Sequence, residues 1–253
     1  MFRFEEDKAI SFINSELSLE SSAKFIDELA RNPSRAIVNE ARQELNSASD
    51  VKYVHQKNTP AGEQFDPQIA HTDCSGFVSK VLFDQCPRQY NEIVESTHPW
   101  AAHPLAMDFT HFFSSLDQNP QMGFEQVKDP ALLSEGAIIA WAKPNYSGRG
   151  NTGHVAIVDG TPGPEHQEMI NGQNYNVIDV PVIDASSVSH FNETLPPNAH
   201  QSQRDGLGKG VVRVIVDSNE TPIGYMEGTF SNEEKRAIIE PTMGAEISMA
   251  RLV

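Results

Sequence analysis

A chain of 253 residues, 38% hydrophobic and 21% charged, has the make-up of a soluble globular protein, with enough sequence for one large domain or two small ones. Its formal net charge of −16 argues against nucleic acid or an anionic membrane as a partner, and because the acidic residues are spread along the chain the charge reads as a solubility feature. Two cysteines cannot build a disulfide framework, so folding should not depend on an oxidising compartment.

Taken in order, residues 1–50 read as helical. Phe25, Ile26 and Leu29, then Ile37, Val38, Ala41 and Leu45, recur at three- and four-residue spacing. Asn32-Pro33-Ser34 supplies a break and a fresh cap, so the last helix is expected near 34–46. This divides the chain into an N-terminal helical extension, 1–33, and a main domain, 34–253. Residues 47–71 read as a polar loop with Pro60, Gly62 and Pro67, and carry Tyr53.

Thr72-Asp73-Cys74-Ser75-Gly76-Phe77-Val78 then reads as a polar turn running into an amphipathic helix. Asp73 or Thr72 serves as N-cap, and Phe77, Val78, Val81 and Leu82 form the apolar face. The first turn of a helix favours an anion, a setting that promotes a thiolate at Cys74. The helix should stop near Cys86-Pro87. Cys74 and Cys86 then lie near its opposite ends, ~18 Å apart at 1.5 Å per residue, too far to bridge.

Residues 87–135 read as loops around one further helix, with Pro104 at its first position and Leu105, Phe109, Phe112, Phe113 and Leu116 on one core-facing stripe. From Gly136 the period changes to short β-type runs: 137–141, 154–158, 177–183 and 211–216, with weaker candidates at 222–227 and 245–252. Gly206-Leu207-Gly208-Lys209-Gly210 reads as a mobile turn before a strand, not a phosphate cradle. Helices first and strands afterwards predict an α+β domain.

A cysteine nucleophile needs a base, and the base needs an orienting group. Of nine histidines, His154 is the best placed: it opens a strand just after Asn151-Thr152-Gly153, on the face of Ala156 and Val158. Small Ala156 would let a helix pack close. Asp184 sits where the run Val182-Ile183 turns polar, the usual place for a group projecting from a sheet edge. Taken singly, a lone cysteine is more often a small core residue, a strand histidine structural, and a strand-end aspartate a turn residue. Their joint order is what suggests a Cys74-His154-Asp184 triad.

These residues carry a resemblance. Asp73-Cys74-Ser75-Gly76-Phe77-Val78 followed by Gly153-His154-Val155-Ala156-Ile157-Val158 resembles the NlpC family of bacterial cell-wall cysteine peptidases, papain-like enzymes that cleave the peptide stems of peptidoglycan. Leu132-Leu133-Ser134-Glu135-Gly136-Ala137-Ile138-Ile139 resembles the strand before the family histidine, with Ala137 in place of its usual aspartate. Ile183-Asp184-Ala185-Ser186 and Gly210-Val211-Val212-Arg213-Val214 resemble the strands that follow, and the helix near 34–46 and Tyr53 the elements before the cysteine loop. The glycines usual after that tyrosine are replaced by His55-Gln56-Lys57-Asn58.

The resemblance implies a papain-like fold, with N-terminal helices and a cysteine-bearing helix packed on an antiparallel sheet. It implies hydrolysis of a D-glutamyl–diamino-acid or related amide, with a peptidoglycan peptide or similar substrate as partner. Cys74 is then the nucleophile, His154 the base and Asp184 its orienting group, with Asp179, His190 and Asn192 as alternatives for that third role. The Cys74 N–H and Tyr53 hydroxyl are oxyanion donors, and Asp73 and Ser75 brace the helix start.

No H-E-x-x-H or paired C-x-x-C is present, and His166-Gln167-Glu168 lacks the P-C-x-x-C that zinc deaminases pair with H-x-E, so neither metal nor cofactor is expected. His98, His103 and His111 read as surface or cap residues. Other readings of the same scaffold are an amidase or acyltransferase acting elsewhere, a silent binding module, and a toxin delivered to competing bacteria. The acidic start, Met1 to Asp7, lacks the apolar core of a signal peptide, and no run approaches a membrane span. The expectation is cytoplasmic synthesis, with delivery to the cell wall by another route.

Overall fold

A computed structural model describes residues 32–64, 66, 68–95, 101–116, 123–143, 151–170, 172–187, 205–228 and 242–253. The expected helices around Phe25–Leu29 lie outside the described residues. The first described helix, α1 (Pro33–Ser47), begins as the sequence suggests: Asn32 Oδ1 accepts from the Arg35 N–H at 3.1 Å, and Pro33 occupies the first turn, where its missing donor costs nothing. Ile37, Val38, Ala41 and Leu45 are its buried face.

The segment read as a loop contains a small parallel sheet, which corrects the reading. β1 (Asp50–Tyr53) pairs in parallel with β2 (Ile69–Thr72), setting Tyr53 beside Thr72. Only Val51, Ala70 and Thr72 are buried in the pair, too few apolar positions for an alternation to stand out. β2 runs directly into α2 (Cys74–Gln85), whose Phe77, Val78, Val81 and Leu82 are fully buried. α2 stops at Cys86 as expected, but Pro87 also opens a new helix, α3 (Pro87–Glu95), which the sequence reading missed. α3 buries only Tyr90 and Ile93, which left little apolar signal to read. α4 (Ala106–Ser115) starts two residues after Pro104, not at it. The Asp108 carboxylate accepts from the Leu105 N–H at 2.8 Å and so fixes Leu105 as the cap.

The sheet comprises β3 (Phe124–Val127), β4 (Ile138–Ala142), β5 (Gly153–Val158), β6 (His166–Ile170), β7 (Gln173–Ser186), β8 (Gly206–Val216), β9 (Pro222–Gly228), β10 (Thr242–Met243) and β11 (Glu246–Leu252). It is antiparallel, in the order β10-β9-β8-β7-β5-β4-β11-β3, with β6 folded back on β7. Among the described residues four helices and this large sheet make an α+β architecture, as predicted. β3 and β6 were not foreseen, and Gly206–Gly210 is strand, not turn: Leu207 is buried opposite Ala185 and Gly208 pairs with Asp184. That pairing with a strand some 20 residues earlier is invisible locally.

Each face of the sheet has its own core. Val155, Ile157, Ile183 and Ala140 pack with Phe77, Val78 and the Phe109–Phe113 stripe of α4. Ile139, Trp141, Ala156, Val158, Val180, Val182 and Val214 form the other cluster. The helix therefore packs on Val155 and Ile157, and the expectation that Ala156 faces it is wrong by one residue of alternation. Arg42 ties α1 to the sheet, its Nε 2.6 Å from Asp159 Oδ1 and its terminal nitrogen 2.8 Å from Glu135 Oε1. No helix among the described residues is long and apolar enough to cross a membrane.

Candidate active site

Cys74 is the first residue of α2. Asp73 caps the helix, its Oδ1 accepting from the Gly76 N–H at 2.8 Å and from Ser75 Oγ at 2.9 Å. With that cap in place, the Cys74 N–H belongs to the first turn and has no intrahelical acceptor. Gly76 is required by packing: a Cβ there would collide with the side chains of Gln64 and Thr72. The Asp-Cys-Ser-Gly run is thus a cap, a first-turn thiol, a brace and a close approach in sequence.

His154 comes from the far strand. Gly153, with φ of +146°, starts β5 in a conformation open to glycine, and a Cβ there would strike the Trp141 carbonyl. His154 lies directly opposite Trp141 in the β4–β5 register, and their rings stack with centroids 5.0 Å apart and planes 32° apart. By alternation the ring belongs to the Trp141 face, yet it meets Cys74 because the starts of β5 and α2 share one crevice. His154 Nε2 is 2.6 Å from Asp184 Oδ2, and the imidazole also hydrogen-bonds Cys74. With Nε2 committed to Asp184, Nδ1 is the nitrogen left for the sulfur.

All three side chains are shielded, at 4%, 5% and 6% exposure for Cys74, His154 and Asp184. Burial alone would favour a neutral imidazole. The charge on the Cys74 sulfur and the bonds to Asp184 and Cys74 outweigh it and hold the His154 pKa well above the ordinary histidine range. A low-dielectric, hydrogen-bonded sulfur–imidazole–carboxylate series of this kind stabilises an imidazolium. Trp141 packs against the imidazole on one side, its ring centroid 5.0 Å away.

Asp179, a sequence alternative for the third position, faces Arg213 Nε at 3.3 Å and not His154. His190 and Asn192 lie outside the described residues, as does His98. His166 is exposed, and Glu168 of the same run pairs with Arg213 at 2.8 Å, a strand-to-strand ion pair. His111 is exposed, as read.

His103 corrects the sequence reading: it is 1% exposed. Gln64 Nε2 approaches its Nδ1 at 3.1 Å, and its Nε2 lies 3.4 Å from Ser75 Oγ, which in turn donates to Asp73. The His103 Nδ1 also lies 3.0 Å from the Thr59 carbonyl, which can only accept, so Gln64, Thr59 and Ser75 hold the buried ring between them. Burial lowers the His103 pKa, in keeping with a neutral ring. On the other side, His55 Nδ1 approaches Asp73 Oδ2 at 3.2 Å. That bond raises the His55 pKa. For Asp73, burial works against the charge, but His55, the Gly76 N–H and Ser75 outweigh it and hold the carboxyl below its usual range. Asp73 and Ser75 therefore sit in a bonded brace at the helix start, where the sequence reading placed them.

The sulfur opens onto a crevice of about 150 Å³ whose walls include Tyr53, His55, Lys57, Leu105, Asn151 and Thr152. That is below the ~300–1,000 Å³ of pockets that engulf a drug-sized ligand. Tyr53 stands on the wall beside Cys74, with its ring 5.1 Å from that of His55. Sequence reasoning missed Trp141, His55, Lys57 and His103. Trp141 was visible as a strand residue, but its partner depends on hairpin register. Comparison of the chain with protein-family models, with curated proteins and with solved structures gave no match.

Proposed function

We propose that this chain is a papain-like cysteine hydrolase that cleaves an amide bond in peptidoglycan stem peptides, with Cys74, His154 and Asp184 as its catalytic residues. The observation that carries the reading is His154, hydrogen-bonded at once to Cys74 and Asp184 beside an open crevice. The resemblance of the Asp73–Val78 and Gly153–Val158 runs to the NlpC family supplies the substrate class.

The proposed chemistry uses that geometry as follows. The Cys74 sulfur, as thiolate, adds to the amide carbonyl carbon, and the carbonyl electron pair moves onto oxygen. The Cys74 N–H and the Tyr53 hydroxyl stabilise that oxyanion, a role worth ~2.7–4 kcal/mol per donor. As the C–N bond breaks, the His154 imidazolium gives its proton to the leaving amine. A thioester remains on Cys74. Water, deprotonated by the now neutral His154, adds to the thioester, and the thiolate leaves with the imidazolium restored. Asp184 keeps the ring in one tautomer and orientation throughout.

The crevice chemistry agrees with an acidic peptide. His55 and Asp73 pair on the wall of the crevice, and Lys57 beside them adds an ammonium suited to a substrate carboxylate. The test is mass spectrometry of purified muropeptides incubated with the wild type and with Cys74→Ala. The expected result is a new pair of fragments, one gaining the elements of water, formed by the wild type alone. Intact muropeptides, or transfer of the acyl group to an added amine in preference to water, would overturn the hydrolase assignment.

A further inference from the structure

Three carboxylates meet at the end of α2 remote from Cys74. Glu40 and Glu44 project one turn apart from α1 and Asp84 from the last turn of α2, with one oxygen from each lying within 4.8 Å of the others. Lys80 Nζ is 2.6 Å from Asp84 Oδ2 and 3.9 Å from Glu44 Oε1, and Gln85 Nε2 donates to Glu40 Oε2 at 2.7 Å. One ammonium set against three carboxylates leaves two formal negative charges, and Asp66 adds to the negative field at Glu44.

Glu44 is the decisive residue. It is 5% exposed, and its Oε2 has no hydrogen-bond partner. A buried carboxylate oxygen with nothing to accept from is costly, and proteins meet that cost with a proton, a paired cation or a metal. Burial, with Glu40 and Asp84 adding to it, pushes the Glu44 pKa up to about 7. The negative end of α2 is at the same place, and it too favours a cation.

We propose that Glu40, Glu44 and Asp84 bind a hard divalent cation of the calcium class, which clamps α1 to the C-terminal end of α2. The donor set is all oxygen, as such ions require, and calcium accepts irregular geometry with water completing its shell. Its two charges match the residual charge of the cluster. Lys80 has a flexible stem that lets its ammonium move aside while keeping its bond to Asp84. At ~1.5 Å per residue along α2 the site is roughly 15 Å from Cys74, so the ion acts on stability and not on the hydrolytic step. No local motif could have announced it, since its ligands come from two helices about 40 residues apart in sequence.

The test is thermal unfolding of the full chain in EDTA, in CaCl2, and in NaCl of matched ionic strength. At a calcium concentration ten times the dissociation constant, the midpoint should rise by roughly 3–6 °C. Glu44→Gln should abolish that rise, and Asp84→Asn should reduce it, while titration calorimetry on the wild type should give one site. A rise no larger with CaCl2 than with NaCl overturns the proposal. So does a full rise in both Glu44→Gln and Asp84→Asn. Should Glu44→Gln fail to fold, Glu40→Gln takes its place under the same criterion.

Discussion

Replacing Asp184 with asparagine keeps the size of the side chain and removes the charge that faces His154. The bond at issue is 2.6 Å long, between groups 5% and 6% exposed, so it is a desolvated, charge-assisted hydrogen bond. Such bonds contribute ~1.5–3 kcal/mol, which for an interaction strengthened in the transition state is a loss of ~10- to 150-fold in kcat/KM. Asparagine can also present its amide N–H to Nε2 and so select the wrong tautomer, which places the expected loss at the upper end or beyond.

The pH dependence carries the sharper signature. Burial depresses the His154 pKa, and Cys74 and Asp184 together raise it well above the ordinary value. A raised folded-state pKa means that the imidazolium is favoured on folding. Its stabilising contribution is fully present below about pH 6.5 and is lost as pH rises through the folded pKa. The alkaline limb of kcat/KM, which reports the same proton, should move to lower pH in Asp184→Asn. NMR titration of the His154 ring in wild type and variant measures that pKa without substrate. An unchanged His154 titration together with wild-type kcat/KM would refute the reasoning.

Three other outcomes are expected. Gly153→Ala should destabilise the protein by ~1–3 kcal/mol through left-handed strain alone, and more from collision with the Trp141 carbonyl; a thermal midpoint equal to wild type would contradict that. Glu44, with its pKa pushed up to about 7 from 4.5, binds its proton more tightly when folded, so in EDTA the wild type should lose stability as pH rises between those values. The loss is about 3 kcal/mol at full weight and ~1–2 kcal/mol after screening; urea melts should find it missing in Glu44→Gln. Lys57→Ala should raise KM for an acidic stem peptide several-fold with kcat nearly unchanged, and amidation of the substrate carboxylates should erase the difference between variant and wild type.

The sequence made much of this legible where the signal was local. Cys74 could be placed because Asp73 caps and Phe77, Val78, Val81 and Leu82 bury, all within three turns. His154 and Asp184 could be placed because each marks a boundary between apolar strand and polar segment. What escaped depended on partners distant in sequence. β1 and β2 are weak alone and exist as a parallel pair; Trp141 becomes relevant only through its register with His154; His103, between Ala102 and Pro104, is sealed by Gln64, Thr59 and Ser75, none of them near it in sequence. The error over Ala156 shows how unforgiving a period of two is: His154 was assigned its face correctly by alternation, but the helix sits on the other face, and the triad closes at the end of the sheet.

The central claim is that Cys74 forms a covalent bond with its substrate while His154 and Asp184 manage the proton. It is tested most directly by acid-quenching the wild type during turnover of a stem peptide and mapping the adduct by mass spectrometry. The account predicts an acyl group on the proteolytic fragment that contains Cys74, accumulating when water is limiting and absent from Cys74→Ser. Turnover that persists in Cys74→Ala, or that proceeds in the wild type with the sulfur never modified, would contradict it.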